Sequence, residues 1–241
     1  MAAVVAYHRP GALAEALALL DRPGVVVLAG GTSLNPAGSP PVEVVDIQAL
    51  GLDAITVVTG GHVSIGAAAT LQQLADSPLV PDLIRDLARR EAPSTLRTLA
   101  TVGGTVVVAD SESVLIAALL VHDAVLTVTS RAVVEEIPLE VLLADPGVLG
   151  GKLLTAVTIA TGGRSAESHT GRMPADRPIV AAVALSTGDG RTRLALTGVA
   201  STPVLVDDPE AVAPPGDFRG STAYRRHLAV VHARRALEEV R

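Results

Sequence analysis

The chain has no cysteine. Disulfides, thiolate catalysis, zinc–sulfur sites and protein-bound iron–sulfur clusters are therefore excluded within it. It has no tryptophan, one phenylalanine and two tyrosines among 241 residues. That scarcity argues against base-stacking platforms and aromatic sugar sites. Positive charge is also short. Lys+Arg total 19 against 25 Asp+Glu, a net charge of −6, which argues against nucleic-acid binding. Lys152 is the single lysine; with so much Ala, Val, Gly and Pro, it reads as a composition bias. No apolar run reaches the roughly 20 residues that span a bilayer. The longest, Val114 to Val121, stops at His122-Asp123. The first residues show no basic-then-apolar leader pattern. These absences lead to the expectation of a soluble, cytoplasmic protein.

What is present is ample apolar chain, 49%, enough for a full core. Leu13, Ala16, Leu17 and Leu20 share a helical face behind Tyr7-His8-Arg9-Pro10, with Pro10 suited to the first turn. Val25 to Ala29 reads as a buried strand, and Val42 to Asp46 as a second one. Gly60-Gly61 marks a hairpin between Ile55–Thr59 and His62–Ile65. Thr70 to Gln73 reads as a capping box, and helices are expected at about 81–91 and 114–120. Val125 to Thr129 alternates as a strand does. Val106 to Val108 is expected to be a strand that Gly103-Gly104 begins. A polar, glycine-rich stretch from Gly162 to Thr170 suggests a domain boundary. Beyond it, strands at 179–185 and 193–199 flank Thr187-Gly188-Asp189-Gly190. A helix from about Ser221 closes the chain, with Tyr224, Leu228 and Val231 expected on its buried face and Arg225 mostly outside it.

No metalloprotease helix, phosphate-loop lysine or nucleophile-elbow serine occurs. The six histidines are scattered, so neither a metal site nor a catalytic residue is expected. The informative features are two glycine turns, Gly30-Gly31 and Gly103-Gly104. Adjacent glycines let backbone amides converge into a nest for a pyrophosphate, with hydroxyls of Thr32, Ser33, Thr101 and Thr105 beside it. The Rossmann pattern is absent. Two tight turns with no ligand is the bland alternative.

Order and spacing go further. His8-Arg9-Pro10, Leu28-Ala29-Gly30-Gly31-Thr32-Ser33-Leu34, Val45-Asp46-Ile47, Ile65-Gly66-Ala67, Leu96-Arg97 and Ala100-Thr101-Val102-Gly103-Gly104 stand in sequence. Later come Asp176-Arg177-Pro178, Gly198-Val199-Ala200 and Gly220-Ser221 with Tyr224-Arg225-Arg226. The whole resembles the FAD-binding medium subunit of the molybdenum hydroxylases, which include carbon monoxide, xanthine and aldehyde dehydrogenases.

The resemblance implies an α+β fold. A two-subdomain FAD domain of the p-cresol methylhydroxylase type (1–165, subdomains about 1–53 and 54–165) would precede a small α+β domain (166–241). It implies FAD contacts at Leu28, Ala29, Gly30, Gly31, Thr32, Ser33 and Leu34. A second FAD loop would comprise Ala100, Thr101, Gly103, Gly104 and Thr105. It also implies a hetero-oligomer in which an iron–sulfur small subunit and a molybdopterin large subunit supply the electrons. The sequence departs from the family's usual residues at Thr98, Thr105, Val108 and Val114. Two alternatives stay open: a scaffold of the same fold without flavin, and a free-standing FAD oxidoreductase.

Overall fold

The computed structural model describes residues 4–33, 41–171 and 176–241. Leu34, part of the expected FAD loop, lies outside them, as does most of the Pro/Gly/Ser-rich stretch that follows.

Three sheets carry the chain. The first is parallel, in the order β1-β3-β2, from β1 (Val4–His8), β2 (Val25–Leu28) and β3 (Val42–Asp46). Helix α1 (Leu13–Leu20) connects β1 to β2, as a crossover between parallel strands of one sheet requires. It starts three residues later than Pro10 suggests, and β1 occupies what reads as a lead-in to the helix. Ala16, Leu17, Val45, Ile47 and Leu153 form the small core beneath.

The second sheet is antiparallel and five-stranded, β4-β5-β8-β6-β7. Its strands are β4 (Ile55–Val58), β5 (His62–Gly66), β6 (Val125–Thr129), β7 (Val134–Pro138) and β8 (Leu153–Ala160). Gly60 and Gly61, at φ +76° and +74°, close the β4–β5 hairpin, a conformation that suits glycine at both central positions. Between β5 and β6 run five helices: α2 (Leu71–Asp76), α3 (Asp82–Glu91), α4 (Ser94–Arg97), α5 (Val102–Val108) and α6 (Val114–Val121). The capping box forms as read: the Thr70 side chain accepts from Gln73 N, and Thr70 N donates to Gln73 Oε1. Helix α7 (Leu139–Ala144) follows β7.

The third sheet, β12-β11-β10-β9, is antiparallel: β9 (Arg164–His169), β10 (Ala181–Ser186), β11 (Thr192–Thr197) and β12 (Val204–Leu205). Most of the polar stretch read as a boundary is thus strand β9. Its polar residues are engaged on both faces: Ser168 bonds His232, and Glu167 pairs with Arg90. Helix α8 (Thr222–Glu239) packs on this sheet. Strand β10 is buried on both sides. Val183 and Leu185 join the core around α6, whereas Ala182 and Ala184 join the core under α8.

Two further expectations fail. Val106 to Val108 is helical, because Thr101 caps α5 and the preceding residues are stitched to a neighbouring segment. On α8, Tyr224 is 45% exposed and Arg225 only 4%. Arg225 is drawn inward by acceptors: its guanidinium donates to Ile179 O, Gly198 O and Asp217 Oδ2 at 3.2, 2.8 and 2.6 Å. Among the described residues no helix is long and apolar enough to cross a membrane. Nor does any group of three or more His, Asp or Glu side chains there form a metal site.

Candidate functional site

The two glycine turns meet. Gly30 sits against the backbone of Leu99; a Cβ there would lie 1.7 Å from Leu99 O. No side chain fits, so the first residue of the first turn is glycine for close approach to the second segment. Gly31 is glycine for a different reason: its φ is +70°, the left-handed region. Gln48 fixes the entry to this turn by donating from Nε2 to Ala29 O at 3.0 Å.

The second turn is held from behind. Leu71 N donates to Ala100 O, Val102 N to Ala69 O and Gly103 N to Ala67 O, each at 2.8 Å. Thr101 Oγ1 accepts from Gly104 N at 3.1 Å, and Thr105 Oγ1 donates to Thr101 O at 3.0 Å. The nest expected here is therefore not formed. The amides of Val102, Gly103 and Gly104 are spent on the protein, and Thr101 and Thr105 serve α5. Gly103 is required by packing, since a Cβ would come within 2.7 Å of Ala67.

The first turn differs. The amides of Gly30, Gly31, Thr32 and Ser33 have no acceptor among the described residues. Gly31, Thr32 and Ser33 are exposed. These amides are unspent within the described residues, unlike those of the second turn.

Two clefts flank this waist. The first, about 410 Å³, has apolar walls from Val25, Val26, Val27 and Leu28 of β2, with Leu153 and Lys152 opposite. Leu28, Ala29, Gly30, Gly31, Thr32 and Ser33 line it, and so do Thr101, Gly103 and Gly104. The second, about 630 Å³, is walled by Arg89, Arg90, Arg97 and Arg177 with Glu91 and Asp110; Ala100 and Thr105 line this one. Thr32, Ser33, Gly104 and Val108 border both clefts. A long ligand with two ends can thus pass from one to the other across the glycine turns.

Several cleft residues carry no motif. Lys152, which reads as a composition bias, stands at the first cleft with Nζ 2.8 Å from Glu135 Oε1. Val107 and Val108 are about half exposed, at 49% and 53%, and line the clefts. The local sequence signal for both is three consecutive valines, which suggests a strand, and Val108 also stands among the departures from the family's usual residues. Val114, one of the departures, lies elsewhere: it borders a small cavity with Glu91 and Arg177.

Arg177 joins the two parts of the molecule electrostatically. It pairs with Asp110, and its Nη2 is 3.9 Å from Glu91 Oε1. Burial works against its charge, but Asp110 and Glu91 outweigh that and raise its pKa. Burial also pushes the Glu91 carboxyl above the usual range, with Ser113 and Arg177 acting in the opposite direction.

Residues 3–161 match the family described as the FAD binding domain in molybdopterin dehydrogenase. The chain is 30% identical over 277 residues to the carbon monoxide dehydrogenase medium chain of Afipia carboxidovorans, spanning 98% of this chain and 96% of that one. It is 32% identical over 246 residues to the uncharacterized protein YgfM of Escherichia coli K12, spanning 93% and 92%. Among solved structures, a Cu,Mo-CO dehydrogenase superposes with a TM-score of 0.86 at 28% identity, over 100% of this chain and 98% of that one. Quinoline 2-oxidoreductase from Pseudomonas putida 86 shares the fold, with a TM-score of 0.88 at 22% identity over the same shares. With its glycine waist, its two clefts and this match over most of its length, the chain belongs to the family of FAD-binding domains of molybdopterin dehydrogenases.

Proposed function

We propose that this chain is the FAD-holding, electron-transferring subunit of a molybdenum-containing hydroxylase. One observation carries the reading: four consecutive amides, Gly30 to Ser33, have no acceptor among the described residues at a waist between two clefts. That arrangement fits a diphosphate with a ring system at either end. The amides of Gly30, Gly31, Thr32 and Ser33 would hold the diphosphate, with the Thr32 and Ser33 hydroxyls beside them. The valines of β2 would cover one ring system. The arginine-lined cleft would take the other. The second glycine segment contributes shape: Gly104 borders both clefts, and the bonded backbone of Ala100 to Gly103 makes the waist rigid.

FAD supplies the redox chemistry, accepting and passing on electrons. The chain's own task is to bind and orient it. The chain carries no cysteine for an iron–sulfur cluster. The reading therefore includes an iron–sulfur small subunit and a molybdopterin large subunit as partners, with an external acceptor taking the electrons. A cytoplasmic setting belongs to the same proposal.

The absorption spectrum of the purified chain tests cofactor retention. Flavin bands are expected from the wild type and should be lost from Gly31→Val. A colourless protein that still co-purifies with two partner subunits would favour the flavin-free scaffold instead. A coloured protein recovered from its native source without partners would favour a free-standing oxidoreductase.

A further inference from the structure

Behind the second cleft lies a cavity of about 40 Å³, bordered by Leu87, Glu91, Glu112, Val114, Arg177 and Pro178. It has room for at least one water. Glu91 borders both this cavity and the cleft. Its side chain is 11% exposed. Oε2 accepts from Ser113 Oγ at 3.0 Å, and Ser113 Oγ in turn accepts from Ile116 N at 3.2 Å. The Ser113 hydroxyl thus has one lone-pair side occupied and its hydrogen committed to Glu91. Oε1 lies 3.9 Å from the Arg177 guanidinium, whose closer partner is Asp110, and the Leu115 amide adds a weaker stabilisation of the carboxylate. One positive charge is shared by two carboxylates, and Glu91 has the weaker share.

The other charged groups around Glu91 are largely engaged. Arg90, on its own helix, pairs with Glu167. Ahead of α6, Asp110 holds Arg177 and Glu112 holds Arg219. On β9, His169 Nδ1 is 3.6 Å from Glu167 Oε1. Asp176 borders the cavity beside Arg177. Among these, Glu91 is the most deeply buried carboxylate, and its burial favours the neutral form. An added negative charge in the adjoining cleft shifts this balance further toward a proton.

We propose that Glu91 is a charge-compensating residue that takes up one proton from solvent when the ligand of the second cleft is reduced by two electrons. The inference rests on the FAD reading above, with the redox-active ring system in the second cleft. The electrons arrive from one-electron iron–sulfur carriers of a partner subunit and add negative charge to the ligand. The proton forms an O–H bond at Oε1, and the carboxylate becomes a carboxylic acid while Oε2 keeps its bond from Ser113. On reoxidation the electrons leave to the acceptor and the proton returns to solvent. Arg177 is the positioning partner, since it sets how much charge Glu91 retains.

The test is a spectroelectrochemical titration of the flavin-loaded chain, following the midpoint potential from about pH 5 to about pH 9. One extra proton per two electrons changes the equilibrium tenfold per pH unit, which is about 30 mV per unit. The wild type should show an interval steeper by that amount, bounded by the Glu91 pKa values of the oxidised and reduced states. Glu91→Gln should lose that interval and keep the rest of the profile. Ser113→Ala removes a donor to the carboxylate, so it should move the interval to higher pH. Parallel profiles for wild type and Glu91→Gln, or an interval unmoved in Ser113→Ala, overturn the proposal. A wild-type chain that retains no flavin overturns the FAD reading itself, and that result precedes any titration.

Discussion

Gly31 and His232 show how single residues set limits on this fold. At φ +70° an alanine in place of Gly31 costs about 1–2 kcal/mol in backbone strain. The turn is exposed, so Gly31→Ala should fold with a modestly lower melting temperature and a weaker hold on FAD. Dialysis followed by flavin absorbance measures the second effect. His232 is fully buried between two hydroxyls, with Ser168 Oγ 2.9 Å from Nδ1 and Thr170 Oγ1 3.2 Å from Nε2. Burial, with the nearby charges of Arg235 and His169, brings its pKa down to about 4. The unfolded chain therefore binds a proton at this residue at a pH where the folded chain does not. Stability from this group is complete above about pH 6.5 and is lost as pH falls toward about 4. Over that window the wild type should lose on the order of 2–3 kcal/mol more than His232→Gln, as read by urea midpoints. Equal losses in the two proteins would mean that His232 titrates normally.

Among the elements, α5 most depends on its surroundings. Its sequence, Val-Gly-Gly-Thr-Val-Val-Val, combines two glycines with β-branched residues, all poor helix formers. It is helical because Thr101 caps it and because Ala100, Val102 and Gly103 bond to Leu71, Ala69 and Ala67. Thr101→Ala should cost about 1 kcal/mol, measured by thermal or chemical denaturation, and should loosen the waist. No change in stability would show that the backbone bonds alone hold the helix. This is also where the sequence was hardest to read. Local pattern favoured a strand, and the deciding bonds come from residues some 30 positions earlier. By contrast, the β4–β5 hairpin, the Thr70 capping box and the apolar run of α6 were legible, because each is fixed by neighbours in sequence. The same division applies to the candidate site. The glycines of both turns were visible as motifs, and the structure brings them together. Which turn keeps unspent amides was not visible, since it depends on the 67–71 segment. Arg225 followed the same rule: its burial is set by carbonyls at Ile179 and Gly198 that no local pattern connects to it.

At the scale of the whole molecule, the segment after residue 161 is bound to the rest by both charge and core. Arg90 pairs with Glu167, Arg177 with Asp110, Arg193 with Asp123 and Arg219 with Glu112. Val183, Leu185 and Ala195 of the third sheet belong to the same core as Ile65, Leu74 and Leu126. Heating should therefore give one cooperative transition, with calorimetric and van't Hoff enthalpies in agreement. Two resolved transitions would show that the units unfold independently. Helix α6 has a further consequence. Leu115 to Val121 are all buried, and the helix packs on β10 and β11. The family match ends at residue 161, before either strand begins. A chain cut there would expose one side of an all-apolar helix to water, and such surface promotes self-association. The point where the family match ends is not a place where the core divides. A 1–161 fragment should be recovered mainly as aggregate, while the full chain remains in solution, and size-exclusion chromatography of the two distinguishes the outcomes.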